Sequence, residues 1–340
     1  MTPSCRRSGN VGARASFRPL KPSPNFPGKP ATMVRPQATS IRFPPAPDIT
    51  MERLTLSHHI HYDYPSPVFL GPHILRLSPV LPAGLQDYSL QLTPRPQTLH
   101  WQFDLFGNRI ARAVFAERAE ALDVVMMATF CWHETNPLDF LLEETAVHWP
   151  PHYDPDLAAC LAPYLWVSER GALFQAFVEQ LRNGPASTVP FLAYAAQQIA
   201  ATVRYTCRLD PGIQDVETTL HERTGSCRDN AWLLVQTARR LGFATRFVSG
   251  YLMDLAVKTG DEDPGVDTAA LHAWVDVFLP GAGWVAVDPT SGLFAGADHI
   301  ALAAAPDPAL AAPLLGSCER QAVCWHYSHS LRRLDRGTGH

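Results

Sequence analysis

The chain has 340 residues, of which 46% are hydrophobic and 18% charged, the composition of a globular protein with a substantial core and room for roughly two domains of about 150 residues. A formal net charge of -4 leaves no basic excess to neutralise phosphates, so a nucleic-acid partner is not expected. No apolar run reaches the length of about 18 residues that a membrane-spanning helix needs, so no membrane partner is expected either.

Residues 1–51 crowd Pro, Ser, Arg and Lys around a single acid, Asp48. They read as a disordered leader or an overextended start upstream of Met51, with a transit peptide as the remaining option. The seven cysteines, Cys5, Cys131, Cys160, Cys207, Cys227, Cys318 and Cys324, are odd in number and scattered. That pattern fits reduced thiols in a cytoplasmic compartment, not a disulfide framework.

From Arg53 to Pro82 the residues alternate and are interrupted by prolines, which predicts short strands with Pro-rich turns. Within this stretch His58, His59 and His61 invite a metal reading, since His59 and His61 share a strand face. No carboxylate or cysteine at ligand spacing accompanies them, so a solvated strand face is expected. Further strands are predicted at 89–93, 100–106, 109–116 and 122–130, with Asp104 to Asn108 as a turn. Residues 52–135 thus form an expected β-rich domain without catalytic features.

Residues 136–164 carry five prolines among aromatic residues and read as an ordered linker. Helical periodicity follows at 173–181 and 190–203, with Pro190 suited to a first turn. A third helix begins at Cys227, behind Gly225-Ser226. Ala231, Leu234, Val235, Ala238 and Leu241 recur at helical spacing, and Gly242 stands where a C-terminal cap belongs. Beyond it come a strand at 244–253, an acidic loop at 254–267 whose spacing is not that of a calcium loop, and two strands, 272–279 and 284–288, joined by Pro280-Gly281-Ala282-Gly283. In the tail, Cys318, Cys324, His326 and His329 could bind zinc. The two cysteines are too widely spaced for the usual motif, so a final strand at 322–327 and a frayed end at 332–340 are expected. The domain reading is completed by a catalytic domain at 165–305 and a strand and tail at 306–340.

Cys227 has two readings, a small core cysteine or a nucleophile whose thiolate is favoured by the positive end of its helix. A nucleophile needs a base, and the base needs a group that fixes its tautomer. His272 and Asp288 are the candidates. Pairing Phe278 with Trp284 places His272, Trp274 and Asp288 on one face, with His272 diagonal to Asp288 at about 7–8 Å between backbones, within side-chain reach. Pairing Leu279 with Trp284 would place His272 and Asp288 on opposite faces. The triad therefore requires a three- or five-residue loop, or a bulge.

Four ordered blocks resemble the bacterial transglutaminase-like superfamily: Thr224 to Trp232, Arg246 to Tyr251, Leu271 to Trp274, and Gly283 to Thr290. Tyr64 to Pro79 and Phe106-Gly107-Asn108 resemble the N-terminal domain that accompanies this core in bacteria. The resemblance implies an α+β protein with a papain-like (transglutaminase core) catalytic domain preceded by a β-rich N-terminal domain. It further implies Cys227 as nucleophile, His272 as general base and acid, and Asp288 as the group that orients His272, in acyl transfer through a thioester. Gln214 is a candidate second oxyanion donor beside the Cys227 backbone N–H, and an exposed loop glutamine explains it equally well. Arg228, Asp229 and Trp274 are expected in supporting roles, the first two through an ion pair or cap in the first helical turn. The expected partner is a protein or peptide substrate, and no cofactor or metal is expected. Transfer to an amine, hydrolysis by a peptidase or amidase, and a non-catalytic peptide-binding module of the same fold all remain open.

Overall fold

The computed structural model describes residues 51–81, 84–208, 210–256, 266–320 and 322–334. All of the expected leader except Met51, and most of the acidic loop, lie outside the described residues.

The alternation after Met51 becomes one long strand, β1 (Glu52–Phe69), with Leu54, Leu56, His58 and Ile60 buried and their neighbours facing outward. Over 52–69 the predicted short strands are therefore corrected to a single strand of 18 residues, and a short strand follows at 73–75 as expected. The prolines of β1 are tolerated because of where they fall. Pro65 and Pro67 lie in the register shift between Asp63 and Val68 and beyond the last pairing with the C-terminal strand, where no ladder N–H is required. The strands β2 (His73–Leu75), β3 (Leu85–Thr93), β4 (Thr98–Phe103), β5 (Arg109–Val114) and β6 (Arg118–Trp132) follow. Between β4 and β5, the Asp104 carboxylate accepts the backbone N–H of Phe106 and Asn108, closing the predicted turn.

The stretch read as a linker contains α1 (Glu144–Val147) and α2 (Pro155–Leu165). The start of α2 carries a complete helix signal, an Asp154 cap followed by Pro155, which the density of prolines obscures. Then come α3 (Ala172–Leu181), α4 (Thr188–Thr202), β7 (Arg204–Tyr205), α5 (Val216–Glu222), β8 (Thr224–Gly225) and α6 (Cys227–Arg240). The remaining elements are β9 (Thr245–Asp254), β10 (Thr268–Leu279), β11 (Gly283–Asp288), β12 (Leu293–Phe294), β13 (His299–Ala305), a 3-10 turn at Pro308–Ala311, β14 (Leu314–Leu315) and β15 (Cys324–Leu334).

Three antiparallel sheets result, in the orders β15-β1-β6-β3, β14-β2-β5-β4 and β12-β11-β10-β9-β13, with a parallel pair β7-β8. The expected fraying from Arg332 is not observed up to Leu334, because β15 pairs with β1 to its last residue, Arg53 opposite Leu334. A pairing this distant in sequence leaves no local trace.

Helix α6 is buried almost all round. Its Ala231, Leu234, Val235 and Ala238 form one cluster with Ala273, Val275 and Val277 of β10, Val285 and Val287 of β11, and residues of α3, α4 and α5. Truncating one such leucine to alanine costs about 2–5 kcal/mol. Some of the polar groups of α6 are matched: Gln236 accepts the N–H of Ser168, and Arg239 donates to the carbonyls of Trp166, Thr245 and Pro306. Gly242 ends the helix at φ +95°, a conformation a side chain would strain. The second core joins β1, β2, β5 and β6 to Tyr251 and Met253 of β9 and Ile300 and Leu302 of β13. The β-rich region and the sheet that carries the candidate site thus share apolar packing.

Candidate active site

Cys227 is the first residue of α6, 8% exposed, with Ser226 as the extended N-cap. The N–H groups of a first helical turn have no intrahelical partners, which leaves the Cys227 backbone N–H as a candidate donor. The turn is held from below by Asp229. Its carboxylate accepts the Ser226 N–H at 2.8 Å and the Ser226 hydroxyl at 2.7 Å. It also accepts the Gln214 backbone N–H at 2.6 Å and two N–H groups of Arg208 at 2.9 and 3.1 Å. Burial would raise the Asp229 pKa, but this set of donors outweighs burial and lowers it.

Arg228 points elsewhere, donating to the carbonyls of Arg208 and Asp210 at 2.7 and 3.0 Å. The ion pair in this first turn is therefore made by Asp229 with Arg208, a residue for which the sequence offers no signal. Gln214 lies beside the turn, and its side-chain amide donates to the Thr224 carbonyl at 3.3 Å. That bond occupies one of its two amide protons.

The other two groups come from the β10-β11 hairpin. Phe278 pairs with Trp284 and Leu279 with Gly283, leaving the three-residue loop Pro280 to Ala282. This is the register that puts His272, Trp274 and Asp288 on one face. His272 Nε2 lies 3.0 Å from Asp288 Oδ2, and Asp288 Oδ1 accepts the Thr290 N–H at 2.8 Å. The remaining imidazole nitrogen, Nδ1, is the one left for the thiol of Cys227, which is near enough to help raise the His272 pKa. Trp274 stacks beside His272 at 6.3 Å between ring centroids. Gly250, opposite His272 on β9, leaves the space that this ring occupies: a Cβ there would sit 2.6 Å from Trp274 and 2.2 Å from the Ile300 carbonyl oxygen.

A fourth group was not anticipated from sequence. His299, first residue of β13, places Nε2 3.4 Å from Asp288 Oδ2 and Nδ1 2.8 Å from Asp298, with its ring edge-on to Trp274 at 5.1 Å. His299 reaches the site only because β13 pairs with β9, and that pairing is not encoded locally.

The electrostatics favour an imidazolium at His272. Burial alone would lower its pKa, but the hydrogen bonds to Asp288 and Cys227 and the charges of both outweigh burial and raise it to about 9. Asp288 shows the converse. Burial pushes its pKa up, yet the hydrogen bonds from His272 and His299 hold it far below the usual carboxylate range. For His299 burial is likewise outweighed by Asp288 and Asp298, and its pKa is raised. The ligand atoms of His272, Asp288 and His299 lie within 4.8 Å of one another, close enough to hold an ion. With both imidazoles donating to the carboxylate, the same atoms form a hydrogen-bonded chain that stabilises a cation on His272.

No helix among the described residues is long and apolar enough to cross a membrane. In comparisons with known proteins, residues 175–289 match the model of the transglutaminase-like superfamily, and residues 54–129 match that of the bacterial transglutaminase-like N-terminal region. Among solved structures the chain is similar to a candidate cysteine protease from Cytophaga hutchinsonii, with a TM-score of 0.61 at 19% identity, over 84% of this chain and 91% of that one. A weaker likeness, TM-score 0.35 at 18% identity, links it to the periplasmic domain of TgpA from Pseudomonas aeruginosa, over 70% of this chain and 90% of that one. No curated protein matches. Cys227, His272 and Asp288 all fall inside the matched core segment: residues 175–289 carry a transglutaminase-like superfamily core, preceded at 54–129 by a bacterial transglutaminase-like N-terminal region.

Proposed function

We propose that the chain is a cysteine-dependent acyltransferase that acts on amide bonds of a protein or peptide through a thioester on Cys227. The observation that carries this reading is the His272 imidazole bound through Nε2 to the Asp288 carboxylate, with the Cys227 thiol near enough to help raise its pKa. In the reaction the thiol gives its proton to His272 and the sulfur attacks the amide carbonyl carbon. The oxyanion that forms is met by the Cys227 backbone N–H and, in this reading, by the free amide proton of Gln214. His272 passes its proton to the leaving amine as the C–N bond breaks, and the acyl group remains on sulfur. An amine or water then adds to the thioester and gives a proton to His272, which returns it to the departing sulfur. Asp288 holds the imidazole with Nδ1 toward sulfur and stabilises its cation throughout.

Amine and water differ only as acyl acceptors at this site, so transglutaminase-like transfer and peptidase or amidase hydrolysis are two outcomes of one mechanism. A non-catalytic binding module is disfavoured, because burying a charged His272-Asp288 pair costs desolvation energy that binding alone does not require. We read the compartment as cytoplasmic on the cysteines: the six among the described residues are all free thiols. Incubation with a library of glutamine-containing peptides and a labelled amine, followed by mass, tests the reading. Amine incorporation supports transfer and cleavage or deamidation supports hydrolysis. The loss of neither product in Cys227→Ser would overturn the assignment.

A further inference from the structure

The solvent side of the β15-β1-β6 sheet gathers residues that are far apart in sequence. His61 on β1 pairs with Asp123 of β6 on one side and with His326 of β15 on the other, and His59 stands two residues along the same strand face. His59 Nε2 and His61 Nδ1 each lie 2.7 Å from the same carboxylate oxygen, Asp123 Oδ1. The exposed His326 ring packs 4.8 Å from that of His61 and 6.4 Å from that of His59. The other nitrogen of His61, Nε2, is 2.9 Å from Asp63 Oδ1. The solvated strand face expected for His59 and His61 rested on the absence of a nearby carboxylate. The fold supplies two.

We propose that His59, His61, Asp123 and His326 form a binding site for a late first-row divalent cation, with Zn2+ as the best-matched ion. Three imidazoles and one carboxylate are the donor set that Zn2+ takes, and a set rich in imidazole excludes the oxygen-only coordination of Ca2+ and Mg2+. The ligand atoms of His59, His61 and Asp123 already lie within 4.8 Å of one another. Tetrahedral bonds of about 2.0–2.1 Å separate ligand atoms by about 3.3 Å, so the two 2.7 Å contacts must open by roughly 0.6 Å. Half-exposed side chains accommodate that by small rotations. His326 completes the set by turning its exposed ring. Asp63 orients His61 from behind, the carboxylate-histidine-metal arrangement that fixes the ring nitrogen presented to an ion. The ion would join β1, β6 and β15 and so fasten the C-terminal strand to the sheet. This site is independent of the proposed acyl transfer at Cys227.

The test is calorimetric Zn2+ titration of full-length chelator-treated protein, paired with Co2+ absorption to report ligand geometry, in a Cys227→Ser background that removes the thiol as a competing ligand. One equivalent is expected to bind at micromolar or lower concentration, with the visible bands of tetrahedral Co2+. The double variant His59→Ala/His61→Ala should bind roughly a hundredfold more weakly and Asp63→Asn about tenfold more weakly. His326→Ala and Asp63→Asn alter exposed side chains and provide the same readout should the double variant fail to fold. Absence of binding at micromolar Zn2+, or unchanged affinity in these variants, overturns the site.

Discussion

Replacing Asp288 by Asn removes one charge and no volume, and the geometry sets up a conflict that no rotamer of Asn resolves. Asp288 Oδ2 accepts from His272 Nε2 while Oδ1 accepts the Thr290 N–H. An Asn that keeps its oxygen toward Thr290 presents an NH2 group to His272 and forces the tautomer with the proton on Nδ1, facing the thiol. An Asn turned the other way opposes its NH2 to the Thr290 N–H. The imidazolium also loses its principal counter-charge. Raising His272 from 6.5 to about 9 corresponds to about 3 kcal/mol held jointly by the Asp288-His272-Cys227 group, or roughly a few hundredfold in the proton affinity of His272. The assay needs no substrate: the rate of Cys227 alkylation by iodoacetamide from pH 5 to 10, read by peptide mass so that the other thiols do not interfere. The expected result for Asp288→Asn is a fall of up to about a hundredfold near pH 7, with an alkaline limb displaced from about 9 toward 6.5. An unchanged rate and profile in a variant with native circular dichroism would refute the reasoning.

Three further outcomes follow from the geometry around Cys227. Because the folded pKa of His272 is raised, its contribution to stability is fully present below pH 6.5 and is lost as pH rises through about 9; urea unfolding across that range should show a decline that His272→Gln flattens. Arg208→Ala strands the fully buried Asp229 carboxylate without its cation and should cost about 3 kcal/mol in the same unfolding assay, with Cys227 alkylation also slowed as the first turn of α6 loosens. Gly250→Ala drives a methyl to 2.2 Å from the Ile300 carbonyl oxygen and should lower thermal stability by several degrees and slow Cys227 alkylation, since Trp274 and His272 must move.

Much of this arrangement is legible in local sequence. The start of α6 at Cys227 follows from a Gly-Ser turn and apolar spacing, and the hairpin follows from turn chemistry, while its register was open between Phe278 and Leu279 opposite Trp284 until the structure set it. Helix α2 was also legible, in Asp154-Pro155, but the surrounding prolines argued for a linker. What sequence does not carry is long-range pairing. His299 reaches Asp288 through β13 on β9, Arg208 reaches Asp229 through a folded loop, and β15 returns to β1 from more than 250 residues away. Each depends on which strands become neighbours, and loop-closure entropy grows too slowly with length for sequence separation to decide that. The His59-His61 pair shows the consequence: its strand face was readable, its partners Asp123 and His326 were not.

The central claim is that Cys227 carries an acyl group. Rapid acid quench of the protein with a glutamine-peptide library, followed by intact and peptide mass, tests it most directly. The account predicts an adduct on the peptide containing Cys227, removed by hydroxylamine as a thioester is and absent from Cys227→Ser. An adduct on another residue, or turnover that survives complete alkylation of Cys227, would contradict it.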